Sequence, residues 1–211
     1  MADCEKLIPT IIKWETGTDI RAGETCFEMF NRARKKGFAN DPVDPGGATM
    51  CGVTLSTYRS YCVKQGLRQP GVDELKSITY SDWYAIFKTM FWDKMKADKI
   101  TNQSIANLCV NTVWGSGPGY ISYIQEILGV KADGIVGTIT LNAINTQDQA
   151  ELFQKLWDRR KRFFEQIVDR SVMAYERKIG RKATENEKLR YTSKKFLKGW
   201  LNRLNDFKFE A

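Results

Sequence analysis

Histidine is absent from this 211-residue sequence. Its absence excludes the Ser-His-Asp and Cys-His catalytic arrangements, histidine-ligated zinc or haem, and general bases built on imidazole. An acid or base that works near neutral pH must therefore be a carboxylate, a lysine, a tyrosine or a cysteine. The five cysteines include no CxxC pair, which argues against a disulfide framework and a cysteine-ligated metal and predicts buried, reduced thiols.

Long apolar runs are also absent, because no segment approaches the roughly 18 to 20 apolar residues that cross a bilayer. The N-terminal segment MADCEKLIPTIIKWE lacks a basic leader, a long apolar centre and a small-residue cleavage site. We therefore expect no classical signal peptide, synthesis in the cytoplasm, and delivery to any external target by another route.

The composition that remains is that of a globular protein, with 42% hydrophobic and 27% charged residues and a net charge of +8. The positive excess favours a polyanionic partner such as nucleic acid, an anionic membrane surface or an acidic polymer like bacterial cell wall. Charge alone does not choose among these partners.

Helical periodicity dominates the chain and predicts a mainly helical fold without internal repeats. Helices are predicted at about residues 3–15, 54–65, 79–92, 102–114, 118–128, 148–179 and 185–206, with a tight turn and a short helix within 130–145. The segment DPVDPGGATMCGVT at 41–54 is too rich in Asp, Pro and Gly for a helix and predicts an ordered turn or a short hairpin.

The first helix and this turn bring carboxylates into unusual positions. An apolar stripe at helical spacing comprises Leu7, Ile8, Ile11 and Ile12. The i, i+4 continuation of the stripe falls on Glu15, and the turn contributes Asp41 and Asp44. Glycoside hydrolysis needs one protonated and one ionised carboxyl group and no histidine or metal. On the residues alone, a surface glutamate and a structural Asp-Pro-Gly turn are the favoured interpretations, and catalysis is the less common one.

The segments LIPTIIKWETG and GFANDPVDPGGATMCGVTLSTY resemble the two halves of the signature of glycoside hydrolase family 108, a family of N-acetylmuramidases. Three later segments, IANLCVNTVWGSG, EILGVKADGIVGTITLNAIN and KFLKGWLNRLNDFKF, resemble that family in the same order. The family's aromatic residue follows its Glu closely, whereas here Phe38 lies 23 positions after Glu15. We infer an insertion at about 16–37 and reject the alignment that would put Lys35 in the catalytic position.

The resemblance implies an all-α, lysozyme-like catalytic domain at about residues 1–116 and a helical peptidoglycan-binding domain at 117–211. It implies that Glu15 is the general acid, that Asp44 is the base or electrostatic stabiliser, and that Thr49 helps to hold the attacking water. The candidates for substrate binding are Asp41, Gly46, Gly47, Tyr58 and Trp114, with turn formation and core packing as the alternatives. In KADGIVGTIT, Asp133, Gly134, Gly137 and Thr140 match a peptidoglycan-binding element in which a scaffold role is favoured over sugar contact.

The insertion leaves the chain beside Glu15 and returns it just before the Asp44 turn. We therefore expect a lid or rim over the substrate cleft, with basic residues facing an anionic wall polymer. The alternative is a solvated helix packed away from the cleft by Phe27 and Phe30. The basic residues concerned are Arg32, Arg34, Lys35 and Lys36.

The implied reaction is hydrolysis of the bond between N-acetylmuramic acid and N-acetylglucosamine in bacterial peptidoglycan. We expect a monomer that needs no cofactor or metal, binds no nucleic acid, inserts in no membrane, and reaches the wall by holin-type or dedicated export. Three alternatives stay open: an inactive wall-binding protein, a lytic transglycosylase and a basic nucleic-acid-binding protein.

Overall fold

The computed structural model describes residues 1–40 and 47–211. Eleven α-helices and one three-stranded antiparallel sheet lie within these residues, and the mainly helical prediction is confirmed. The helices are α1 Ile8–Thr16, α2 Cys26–Ala33, α3 Leu55–Lys64, α4 Val72–Lys76, α5 Tyr80–Phe87, α6 Gln103–Ser116, α7 Ile121–Leu128, α8 Thr138–Thr146, α9 Gln149–Ile179, α10 Glu185–Tyr191 and α11 Lys194–Asn205. The strands are β1 Phe38–Ala39, β2 Thr49–Met50 and β3 Val53–Thr54.

Helix ends follow the capping residues of the sequence. The Thr79 side chain accepts a hydrogen bond from the Asp82 amide at the start of α5, which continues as one π-helical turn over Lys88–Trp92. Thr184 and Glu187 form a complete capping box at the start of α10. The helix predicted over 3–15 instead begins as a 3-10 turn, and α1 starts at Ile8 with a proline in its first turn.

The single helix predicted over 185–206 is wrong, because the chain breaks between α10 and α11. Thr192 is extended at the break (φ −126°, ψ 172°), and its hydroxyl donates to the Lys188 carbonyl at 2.6 Å and accepts from the Lys194 amide at 3.2 Å. The next amide, of Ser193, donates to Ser171 Oγ on α9 at 2.9 Å. These hydroxyl bonds replace the helical ladder, as Thr and Ser side chains can do. Helix α4 is a further element that the periodicity did not indicate.

One hydrophobic cluster contains most of the buried apolar side chains of both predicted domains. The largest fully buried side chains include Trp83, Trp92, Phe30 and Phe87. Four of the five cysteines are buried and all five are unpaired, in agreement with the predicted reduced thiols. Burial raises the pKa of Cys51 and of Cys109 to about 12. No helix in the described ranges has the length and apolar character to cross a bilayer.

The segment at 16–37 joins this core through α2. Phe30 is fully buried and packs on Trp83 with ring centroids 5.4 Å apart, a burial that contributes about 1.5–3 kcal/mol, whereas Phe27 is 57% exposed. Arg32 pairs with Glu24 inside the segment at 2.5 Å. Phe30 therefore packs into the core, as expected for the alternative of a helix packed away from the cleft. The electrostatic role of the basic residues stays a prediction.

The predicted peptidoglycan-binding element is organised by Gln125, which is buried between α7 and α8. Its amide nitrogen lies 2.9 Å from Asp133 Oδ1, 3.0 Å from the Ile135 carbonyl and 3.2 Å from Thr140 Oγ1. Its oxygen accepts from the Gly134 amide at 2.8 Å. Because these polar groups satisfy one another within one turn, the geometry favours the scaffold interpretation.

Candidate active site

Glu15 lies in the last turn of α1, just before the left-handed Gly17 that ends the helix. The apolar stripe of Ile8, Ile11 and Ile12 is fully buried and fixes α1 against the core. Its continuation at Glu15 therefore emerges at the edge of the core, and the side chain remains 22% exposed. The predicted position of Glu15 at the end of the buried stripe matches the structure.

The hairpin formed by β2 and β3 brings its turn against Glu15. Cys51 and Gly52 connect the strands with φ of 46° and 80°, as a two-residue type I′ turn requires. Cys51 is buried, and its carbonyl accepts from Trp83 Nε1 at 3.1 Å. A Cβ at Gly52 would lie 2.6 Å from both Glu15 Cγ and Trp114 Cζ2. Only glycine permits this approach, both in backbone conformation and in space.

Two donors from distant parts of the chain hold the Glu15 carboxylate. Trp114 Nε1 on α6 donates to Oε1 at 2.8 Å, and Arg203 Nη1 on α11 donates to the same oxygen at 2.7 Å. Arg203 Nε also donates to Asn111 Oδ1 at 3.0 Å. Both bonds to Glu15 use Oε1, and no donor among residues 1–40 and 47–211 reaches Oε2. The contact with Arg203 is an ion pair, and within these ranges the second carboxyl oxygen of Glu15 is left without a donor.

The end of α11 also holds the residues that precede Glu15. Asp206 Oδ2 accepts from Lys13 Nζ at 2.9 Å and from Trp14 Nε1 at 2.8 Å. The hydrogen bond to Asp206 raises the pKa of Lys13 above its usual value. Three consecutive side chains of α1 are thus fixed by Arg203 and Asp206, so the C-terminal helix contributes directly to the geometry of the site.

The indole of Trp114 is itself fixed by aromatic packing. Its ring centroid lies 4.6 Å from that of Phe91, 5.4 Å from that of Phe87 and 6.2 Å from that of Trp83. Such offset and edge contacts favour one ring orientation, which aims the indole N–H at Glu15. Trp114 therefore donates a hydrogen bond to Glu15, the predicted acid. Its contact with substrate stays a prediction.

The other predicted site residues are placed as follows. Asp41, Asp44 and Gly46 lie outside the described residues. Gly47 has a positive φ of 66°, and Thr49 pairs with Ala39 and Thr54 in the sheet. Tyr58 is half-buried on α3, where burial and then the charge of Asp82 raise its pKa. Among the residues that the structure describes, no hydrogen bond joins Thr49 or Tyr58 to Glu15, and their roles stay predictions.

Sequence reasoning did not select Gly52 or Arg203. The dipeptide Cys-Gly between Thr-Met and Val-Thr is a two-residue hairpin signal that indicates Gly52. Arg203 carried no signal, because 188 residues separate it from Glu15.

Lys35, the residue that the rejected alignment would have made catalytic, is exposed. Within the described ranges no group of three or more Cys, Asp or Glu side chains could hold a metal ion.

Comparison with known proteins extends this picture. Residues 32–117 match the family model described as Glycosyl hydrolase 108, and residues 120–205 match the one described as Predicted Peptidoglycan domain. The first match starts after Glu15, whose place at the site rests on the geometry above. No curated protein matches the chain.

Ten chains of solved structures match, among them one titled "Structure of Brucella abortus SagA". That chain shares 23% identity and a TM-score of 0.61 over 84% of this chain and 86% of its own, so the overall fold is common to both. The two family models account for most of the sequence. The chain thus carries a region that matches glycosyl hydrolase 108, followed by a region that matches a peptidoglycan domain, and together the two matches support a peptidoglycan hydrolase.

Proposed function

We propose that the chain hydrolyses the bond between N-acetylmuramic acid and N-acetylglucosamine, with Glu15 as the general acid. The observation that carries this proposal is the placement of Glu15 between the hairpin turn, α6 and α11, with Oε1 held by two donors. A general acid needs a fixed orientation and one oxygen free to carry the proton. The bonds from Trp114 and Arg203 provide the first condition and leave Oε2 for the second.

The chemical step follows from these two oxygens. The proton on Glu15 Oε2 moves to the glycosidic oxygen as the bond to the anomeric carbon breaks, so the leaving sugar departs as an alcohol. The carboxylate that remains gains negative charge next to the Arg203 guanidinium, which stabilises that charge as it develops. Arg203 and Trp114 are positioning residues in this step, because they act through Glu15.

Water completes the reaction by adding to the anomeric carbon. We keep Asp44 in the role implied by the family resemblance, as the base that accepts a proton from this water or as the stabiliser of the positive charge on the sugar. Thr49 is the proposed hydroxyl that helps to hold the water. Substrate contacts are proposed for Asp41, Gly46, Gly47, Tyr58 and Trp114. A monomer that reaches the wall through a holin-type or dedicated export route fits this activity.

Analysis of the products by mass spectrometry tests the proposal. Purified wall sacculi are digested with the full-length protein, and we expect fragments that end in reducing N-acetylmuramic acid. Fragments that end in anhydro-muramic acid would show a lytic transglycosylase instead. Binding to sacculi without release of any fragment would show an inactive wall-binding protein.

A further inference from the structure

A cavity of about 170 Å³ lies between α6, α9 and α11. Arg160 and Arg203 both line it, together with Asn111, Ser116 and apolar side chains of α9 and α11. None of the described lining residues is acidic. The cavity is therefore a small space with two guanidinium groups in its wall and no carboxylate.

Arg160 is the more deeply buried of the two arginines, with 4% exposure. Its guanidinium lies 4.3 Å from the ring centroid of Phe164 and 5.0 Å from that of Tyr120, and Nη1 donates to Ser116 Oγ at 2.6 Å. Burial lowers the pKa of Arg160 to about 10, so the group is still charged at neutral pH. Within the described residues Arg160 forms no ion pair, and its Nε has no hydrogen-bond partner.

Arg203 also lines the cavity, but it differs from Arg160 because it is ion-paired with Glu15. Nη1 is used by Glu15 and Nε by Asn111, whereas the buried Nη2 has no partner among the described residues. Buried cations without a counter-ion are costly unless a ligand or water satisfies them. Glu15 pairs with Arg203, whereas no carboxylate among the described residues pairs with Arg160, so the charge of Arg160 is uncompensated.

We propose that this cavity binds a carboxylate, held by the guanidinium group of Arg160 with Arg203 beside it. Guanidinium N–H groups match the planar, two-oxygen geometry of a carboxylate, and the cavity volume suits a group of that size. The ligand is either a free small carboxylate or a carboxylate of the peptide that peptidoglycan carries. The second source rests on the proposed function, whereas carboxylate binding itself does not require that Glu15 be the acid.

Titration with sodium acetate, followed through the arginine Nε–H signals of the ¹⁵N-labelled full-length protein, tests the site at constant ionic strength. We expect a saturable change in the Arg160 and Arg203 signals and a matching rise in thermal midpoint. Arg160→Met keeps the aliphatic packing but removes the charge, and it should weaken acetate binding by at least about tenfold. Arg162→Met, on the exposed face of the same helix, removes the same charge and should bind acetate as the wild type does.

Three outcomes would overturn the proposal: no saturable change in the wild type, an equal response in Arg160→Met, or saturation by inorganic phosphate but not by acetate. If Arg160→Met does not fold, Arg160→Lys replaces it, since that variant keeps the charge but lacks the planar guanidinium group, and tenfold weaker binding is again expected. The source of the carboxylate is tested with an N-acetylmuramoyl dipeptide. Displacement of acetate by this fragment identifies the wall peptide, and failure to displace it identifies a free small carboxylate.

Discussion

Two carboxylates, Glu15 and Asp133, lie beside glycines with positive φ, yet their partners differ in origin. Asp133 Oδ1 accepts from Gln125 Nε2 and from the Ile135 amide, which are 8 and 2 residues away. Glu15 Oε1 accepts from Trp114 and Arg203, which are 99 and 188 residues away. Asp133 thus builds its own turn, whereas Glu15 serves no local turn and is held by two remote helices. This long-range assembly around a partly exposed acid is the feature on which the proposed catalytic role of Glu15 rests.

The largest expected effect comes from Glu15→Gln, which removes the transferable proton and keeps the shape. Release of reducing ends from sacculi should fall by roughly two to four orders of magnitude, while the circular dichroism spectrum stays that of the wild type. Asp133→Asn and Lys35→Ala are the matched controls and should retain activity within about twofold. Near wild-type turnover in Glu15→Gln would remove Glu15 from the mechanism.

The second variant, Gly52→Ala, places a methyl group against Glu15 and Trp114 at a positive φ. We expect at least a tenfold loss of activity and a loss of about 2–4 kcal/mol in the free energy of unfolding, measured by urea denaturation. Gly66→Ala is the control, because Gly66 has a φ of 69° and no atom within 4 Å of the added Cβ. That variant should lose only about 1 kcal/mol and keep its activity. Equal effects of the two substitutions would show that the contact with Glu15 is unimportant.

Gln125→Leu tests whether the turn that contains Asp133 has a purely structural role. Removing the amide leaves Asp133, Thr140 and two backbone groups without their partner, which should cost about 1–3 kcal/mol in the free energy of unfolding. Turnover per folded molecule on soluble wall fragments should be unchanged, because none of these groups touches Glu15. A fall in turnover as large as that of Glu15→Gln would mean that the turn belongs to the catalytic machinery.

The smallest effect is the pH dependence that Asp133 contributes to stability. The hydrogen bond from Gln125, followed by that from the Ile135 amide, lowers the pKa of Asp133 below its ordinary value of 3.8. Ionised Asp133 therefore stabilises the fold above that ordinary value, and the contribution is lost as the pH falls through the lower, folded value. Urea midpoints measured from about pH 5 to pH 2 should fall less steeply in Asp133→Asn than in the wild type. Parallel curves would contradict this assignment.

Local sequence patterns were sufficient to predict most of the helices and the position of Glu15 at the end of α1. The apolar stripe of α1 leads directly to Glu15, and Thr79 and Thr184 mark the starts of α5 and α10 as capping residues should. The split family signature likewise indicated Glu15 rather than Lys35, and that choice stays a prediction.

Tertiary contacts set the limits of the prediction. The break at Thr192 depends on a hydrogen bond to Ser171 on another helix, so periodicity alone predicted one continuous helix. Arg203 faces Glu15 only because α11 packs across α9 and reaches the end of α1. Such a contact has no local signature, because both residues satisfy ordinary patterns in their own helices.

The hydrogen bonds of Arg203 and Asp206 with α1 limit how this protein can be engineered. The half that matches a peptidoglycan domain cannot be treated as an exchangeable targeting module, because the end of its last helix supplies a donor and an acceptor to three consecutive residues that end at Glu15. A chimaera that replaces this half, or a chain shortened before Arg203, would alter the proposed catalytic centre as well. Recombination within this architecture has to preserve the C-terminal helix along with α1.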